Sequence, residues 1–324
     1  MTDYKFFIHI LLLLSSLWMT SCGGKQEISR ILYVNSYHPG YPSSDEIAAG
    51  IKATVENRGI DLKIVYMDTK RNQEEASIQK KAREIIELIE DYNPGVLIVS
   101  DDNAVQHLVV PYLLGSRIPI IFCGVNWTAE PYGLPEDHIT GMLEILPVEK
   151  GIGILKEQGL QMTRVAILSE NSASEQKNIT FISAILEKAG ISSEYLLAST
   201  FEEWKAYFME ASQTADAIYM PTNGAVRDWD HEEAIRFIRE SIRVPLITCD
   251  DFMMPYVVVG VTKVQSEQGI WAGETALKIS NGAEVSTISR TSNSQIRIWW
   301  NPVLAEKINF KPGELFLKEA IRFE

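Results

Sequence analysis

From Arg30 onward, short apolar runs rich in β-branched residues alternate with stretches whose apolar positions recur every three or four residues. In the first half, residues 31–35, 62–67, 96–100 and 118–123 read as strands. Between them, residues 44–58, 74–92 and 103–114 carry helical spacing. Continuous apolar runs separated by amphipathic helices predict strands buried on both faces, and hence a parallel sheet with helices on each side. The same order recurs from Arg164, with strands at 165–169, 194–198, 217–220 and 245–248 and helices at 174–189, 201–211 and 231–242.

The residues themselves partly repeat. Gly95-Val-Leu-Ile-Val-Ser-Asp-Asp-Asn-Ala-Val105 aligns with Ala217-Ile-Tyr-Met-Pro-Thr-Asn-Gly-Ala-Val226, and Pro119-Ile-Ile-Phe-Cys-Gly124 with Pro245-Leu-Ile-Thr-Cys-Asp250. The spacing from position 95 to 217 is long enough for each unit to bury its own core, which excludes a solenoid. The expected architecture is therefore α/β, with two doubly wound Rossmann-like lobes joined by a hinge.

Ahead of Arg30 the pattern changes. The apolar stretch from Phe6 to Trp18 is too short to span a bilayer, which needs about 20 helical residues, and fits a signal-peptide core. Met19-Thr20-Ser21-Cys22 resembles a bacterial lipobox, so residues 1–21 are expected to be a signal peptide, Cys22 the lipidated N-terminus and 22–29 a tether. Acyl chains on Cys22 would hold the protein at a bacterial membrane, facing the periplasm or the cell surface. A plain secretory signal is the alternative, and it too exports the chain.

Composition narrows the partners. The 324 residues are 46% hydrophobic and 23% charged, and 30 basic against 43 acidic residues leave a net charge of −13. Such a chain can build a full core, and without a Lys or Arg run it offers nucleic acid no basic stripe. With three cysteines it is no disulfide scaffold. Cys123 and Cys249 fall at matching strand ends and read as small buried hydrophobes; a disulfide between them would pin two lobes that need to move.

In open α/β sheets, ligands bind beyond the carboxyl ends of the strands. Two lobes facing each other across a hinge make a cleft there, and its closure buries a small solute. The polar residues at these ends supply the candidate ligand contacts: Ser36, Tyr37, His38, Asp68, Asp101, Asp102, Asn126 and Trp127 in lobe one, and Thr222, Asn223 and Asp251 in lobe two. Simpler roles compete. Asp102, Asn103, Ser43 and Asn223 are good helix N-caps, and Asp68 and Asp250 suit turns. Tyr37 and Trp127 can stack on a ligand and still offer a polar edge.

Catalytic patterns fail one by one. His231-Glu232-Glu233-Ala234-Ile235 starts like a zinc-peptidase helix but ends in Ile, and Gly151-Ile-Gly153 lacks a third glycine. No Gly-x-Ser-x-Gly elbow is present. Asp101-Asp102 reads more simply as a cap and a ligand contact than as an acid–base pair. No enzyme activity, metal or cofactor is expected.

Several segments, in order, resemble one family. Asn35-Ser-Tyr-His-Pro-Gly-Tyr-Pro-Ser-Ser-Asp-Glu46, Tyr66-Met-Asp-Thr-Lys-Arg71, Ser100-Asp-Asp-Asn-Ala104 and Pro119-Ile-Ile-Phe-Cys-Gly-Val-Asn126 look like ABC-transporter substrate-binding proteins, close to the branch used as extracellular sensor domains of bacterial histidine kinases and diguanylate cyclases. Ala217-Ile-Tyr-Met-Pro-Thr-Asn223, the stretch from Gln265 to Ala276 and Asn301-Pro-Val-Leu-Ala305 agree. The resemblance implies a type I periplasmic-binding-protein fold, a ligand in the interlobe cleft and no catalysis. It also implies a crossover at Val264-Gln265, so that lobe one comprises 30–144 plus 264–285 and lobe two 145–263 plus 286–324. A monomer is expected, binding an amino-acid-like or aromatic solute and serving an ABC permease. The alternative partner is a membrane sensor kinase, although the chain ends at Glu324 without the output domain of that branch. Where the family usually has Pro-Thr-Asp this chain has Pro221-Thr222-Asn223, which removes a carboxylate from a position where a ligand amine could pair.

Overall fold

The computed structural model describes residues 30–134 and 136–324, in which the strands form two separate sheets. The first contains β1 (Arg30–Asn35), β2 (Asp61–Tyr66), β3 (Val96–Ser100), β4 (Ile120–Asn126) and β5 (Ile139–Glu144), all parallel, with the short β11 (Thr291–Ser292) at one edge. Their order is β11-β5-β4-β3-β1-β2. Alternation along β1 sets the two faces. Leu32 and Val34 pack with Leu97, Val99 and Phe122 beneath α2 (Glu75–Tyr92) and a helix α3 through residues 101–112, which widens to a π turn at Val105–Val109. Ile31 and Tyr33 point the other way, toward α1 (Pro42–Val55).

Helix α2 forms because Ile78, Ala82, Ile85 and Ile89 make one buried stripe, and it stops where Asn93 takes a left-handed conformation (φ 48°).

The second sheet has the order β13-β12-β10-β9-β8-β6-β7. It comprises β6 (Arg164–Glu170), β7 (Ser192–Ala198), β8 (Ala217–Tyr219), β9 (Leu246–Thr248), β10 (Val259–Lys263), β12 (Ile296–Trp300) and β13 (Ile321–Arg322), and its one antiparallel pairing joins β10 to β12. Helices α4 (Val148–Glu157), α5 (Ala173–Lys188), α6 (Phe201–Thr214) and α7 (His231–Ser241) belong to this half. Thr200 and Glu203 make a reciprocal capping box at the start of α6, and Asp230 caps α7.

The chain passes between the lobes after β5, again at Val264 between β10 and α8 (Gln265–Ser280), and a third time between β11 and β12. Helix α8 returns to the first lobe and packs on α1, with Ala272, Ala276 and Ile279 against Ile47, Ala48 and Ile51. Two glycines permit the approach. A Cβ on Gly50 would stand 2.8 Å from the Ser266 carbonyl oxygen, and one on Gly269 would collide with the carbonyl oxygen of Ile47. Because β11 pairs with β5, the last crossing follows Ser292, later than the expected boundary after residue 285.

Hydrogen bonds stitch the crossings together. Ile145 N–H donates to Asn293 Oδ1 (2.6 Å), Val264 N–H to the Gln295 carbonyl (3.3 Å), and the Gln295 and Ser294 N–H groups to the Glu267 carboxylate.

Candidate ligand cleft

Both sheets share one switch point. In the first, β1 lies beside β3, and in the second β6 lies beside β8, so in each lobe the chain leaves neighbouring strands toward opposite faces and opens a crevice at their carboxyl ends. The crevices face each other across a cavity of about 40 Å³. Tyr37, Tyr41, Lys70, Asp101, Asn126 and Glu144 line it from the first lobe. Glu175, Asn178, Thr222, Asp250 and Lys263 line it from the second, with Gln265 at the middle crossing.

The end of β1 is locked by its own polar groups. Asn35 donates to the Tyr33 hydroxyl (2.9 Å), which donates to Ser100 Oγ (2.9 Å), while Asn35 Oδ1 accepts from Ser44 Oγ and the Tyr37 N–H. Ser36 Oγ donates to the Ser100 carbonyl (2.6 Å) and accepts from the Ala104 N–H, tying β1 to β3. This framework directs the Tyr37 and Tyr41 rings toward Lys70, whose ammonium lies 4.8 and 5.5 Å from their centroids.

Three strand ends turn through left-handed backbone: Asp68 (φ 60°) after β2, Asp101 (φ 68°) after β3 and Trp127 (φ 59°) after β4. Such residues cost on the order of 1–3 kcal/mol each and persist where the surroundings fix them. Here, Asp68 is held by Arg71 and Asn72, and Trp127 by its N–H bond to the Glu144 carbonyl. Gly124 (φ 71°) forms a bulge in β4 that brings this strand close to the Asp101 carboxyl.

Ion pairs bridge the lobes around the cavity. Lys70 pairs with Glu170, both buried; Lys177 reaches Asp102 (2.6 Å); Lys263 binds Asp250 (2.7 Å) and Glu144 (3.4 Å). Tyr41 and Thr222 hydroxyls meet at 3.2 Å. The Trp127 ring stacks on Phe181 at 5.1 Å and its Nε1–H donates to Asn178. Glu170 is fully satisfied, accepting also from the Ala225 N–H and Ser172 Oγ.

Burial opposes the charge on Lys70 and on Lys263, yet Glu170 beside the first and Asp250 and Glu144 beside the second hold both ammoniums above the ordinary lysine range. Burial also raises Glu144, against the pull of Lys263, and lifts Glu175 to about 7 with help from Glu170. Asp101 is raised well above a normal carboxyl by burial and then by Glu144 and Asp102.

A family model described as ABC transporter substrate binding protein matches residues 38–323. The chain belongs to this family. As a substrate-binding protein it is not an enzyme, and members of the family work outside the cytoplasm. Solved structures share the type I periplasmic-binding-protein-like fold. A Streptococcus pneumoniae ABC domain in complex with L-Trp aligns with a TM-score of 0.69 at 16% identity, covering 91% of this chain and 99% of that one. A conserved domain protein from Vibrio cholerae gives 0.71 at 15% identity, covering 92% and 100%. A ligand-free, open substrate-binding protein with adhesive properties from Clostridium difficile gives 0.64 at 16% identity, covering 92% and 99%. No curated protein sequence matches the chain.

Of the residues expected to touch ligand in this substrate-binding protein, Tyr37, Asp101, Asn126 and Thr222 line the cavity. Ser36 serves the β1–β3 tie, and His38 bonds the Pro39 carbonyl (2.9 Å) and flanks Tyr41. Asp102 gathers Asn126, Tyr132 and Lys177, and Trp127 joins the lobes beside the cavity. Three expected residues face elsewhere. Asp68 is taken up by Arg71 and Asp251 by Thr262, Arg297 and Trp299, and Asn223 is not among the residues lining the cavity.

Sequence reasoning missed Tyr41, Glu144, Glu175, Asn178, Lys263 and Gln265 as lining residues. The available signal was a buried polar group at the first turn of a helix or the end of a strand: Glu175 and Asn178 lie three apart on one face of α5.

Cys123 and Cys249 are both free and buried. Cys22 and the signal segment lie outside the described residues. Among the described residues, no helix is long and apolar enough to cross a membrane.

Proposed function

We propose that this protein is an exported, lipid-anchored receptor that captures a small polar or aromatic solute between its lobes and delivers it to an ABC permease. One observation carries the reading: the strand ends of both lobes meet around a buried cavity and are bridged there by buried ion pairs, a geometry suited to closing on a solute. Contacts made by a ligand to both lobes stabilise the closed form over the open one by their summed free energy, and the closed surface is what a membrane partner would recognise. Cys22 would supply the anchor, and Tyr37, Tyr41, Asp101, Asn126 and Thr222 the ligand contacts. The L-Trp bound by the Streptococcus relative makes an aromatic or amino-acid-like ligand a natural first probe.

A second reading rests on the set of segments Asn35–Glu46, Tyr66–Arg71, Ser100–Ala104 and Pro119–Asn126, which resembles the sensor branch: the same closure would then be reported to a sensor kinase. Native mass spectrometry of the chain from Gly23 onward, with X-ray scattering before and after ligand addition, tests the receptor reading. A one-to-one complex with a more compact profile is expected. A protein that retains no small molecule and never changes shape would overturn it. An adjacent permease and ATPase gene pair supports transport, and an adjacent kinase alone supports sensing.

A further inference from the structure

Three acceptor atoms on the cavity wall have no hydrogen-bond partner: Asp101 Oδ2, Asn126 Oδ1 and Gln265 Oε1. Their residues are buried, at 8%, 4% and 6% exposure, and no protein group compensates them. One is oriented from behind: Asn126 gives its Nδ2–H to Asp102 (2.6 Å), which leaves its oxygen as the free end. Asp101 is held by the left-handed turn after β3 and the Gly124 bulge beside it.

Building on the receptor reading, we propose that this wall is the seat of a primary ammonium group on the ligand, received by Asp101, Asn126 and Gln265. A primary ammonium has three N–H donors and no acceptor, matching three unpartnered oxygens, whereas a quaternary ammonium has none to offer. The charge balance agrees. Lys70 is matched by Glu170, and Lys263 is shared by Glu144 and Asp250, which leaves the Asp101 carboxyl and Glu175 without a cation of their own. The seat lies on lobe one and at the middle crossing, away from Asn223. At about 40 Å³ the cavity admits the ammonium and the first carbons attached to it, since one water needs roughly 10–15 Å³.

Arrival of the cation has a proton consequence. Burial, then Glu144 and Asp102, raise Asp101 against the pull of Ser100 and Lys70, and this net upward shift favours the protonated carboxyl. An incoming ammonium displaces that proton to solvent, so affinity rises with pH by up to about tenfold per unit until Asp101 ionises unaided.

Calorimetry and thermal shift with three matched pairs test this: ethanolamine against choline, glycine against glycine betaine, and L-tryptophan against indole-3-propionate, with potassium chloride as a control. At least one primary ammonium should bind at least tenfold more tightly than its counterpart, releasing a proton visible as buffer-dependent heat. Asp101→Asn, which tolerates the same backbone, should lose about tenfold to hundredfold in affinity together with the pH slope. Gln265→Leu should weaken binding but keep the slope.

The inference is overturned if no primary ammonium binds, if counterparts or potassium bind equally well, or if the slope survives in Asp101→Asn. Native mass spectrometry separates the two failures. A retained solute without a basic nitrogen removes the ammonium seat and leaves the receptor, whereas no solute and no shape change removes both.

Discussion

Glu175 should make the protein less stable as pH rises from acid to neutral, and Glu175→Gln should abolish the effect. The carboxylate is buried, accepting from Ser169 Oγ and Asn178 Nδ2, both at 2.7 Å, and burial with the nearby Glu170 lifts its pKa from 4.5 to about 7. Between those values the folded state holds a proton that the unfolded chain has released, so stability falls with rising pH through this window and levels off above it. At 1.36 kcal/mol per pH unit, the accumulated cost is about 3 kcal/mol. Glutamine can keep the local bonds: its oxygen still accepts from Asn178, and its amide can donate to Ser169 Oγ, which turns its hydrogen to the Thr222 carbonyl at 3.3 Å. At about 2 °C per kcal/mol for a chain of this size, Glu175→Gln should melt roughly 6 °C higher at pH 8 and nearly unchanged at pH 4. Thermal melts of both proteins across that range decide the matter. An equal shift at both pH values, or a less stable variant at pH 8, would refute the reasoning.

Lys70→Met leaves the Glu170 carboxylate buried without its cation, a loss of about 3–5 kcal/mol that the lobes can relieve by opening; scattering should show a larger radius of gyration, reversed when Glu170→Gln is added. Trp127→Ala removes the stack on Phe181 and the bond to Asn178, together about 2 kcal/mol of interlobe contact, and should also expand the molecule without altering the secondary structure read by far-UV circular dichroism. Gly269→Ala forces a methyl against the Ile47 carbonyl and should cost on the order of 3 kcal/mol in urea unfolding, and a neutral result would deny the close α1–α8 approach.

The strands that could be read from the sequence are those with unbroken apolar runs, such as β1, β3 and β4, because central parallel strands must be apolar on both faces. Strands β5 and β10 were missed because each carries a glycine, which weakens the strand signal. Tertiary contacts explain both glycines: a Cβ at Gly141 would strike the Phe122 ring, and one at Gly260 the Met254 sulfur.

The same gap hid much of the cleft, since Glu144 and Lys263 close these two strands and Gln265 follows one of them. Tyr37, Asp101, Asn126 and Thr222 were legible because polar residues right after apolar strands mark the crevice end of a sheet. Asp68 and Asp251 satisfied that rule equally well, but Arg71, three residues on, and the distant Arg297 claimed their carboxylates, and the second pairing is not revealed by spacing along the chain.

The return of α8 and β11 to the first sheet also dictates an order of assembly. A chain emerging N-terminus first completes β1 to β5 long before it supplies α8, which together with α1 covers Ile31, Tyr33, Ile98 and Ile121. Until Ser280 has emerged, α1 covers that face alone, and the part α8 will cover stays exposed, a sticky surface of the kind that makes folding intermediates aggregate. The long intervening segment adds little to the closure entropy but slows the search for this contact. Cutting the chain after Glu144 would not yield an independent lobe. It would yield a sheet with one side covered by α1 alone.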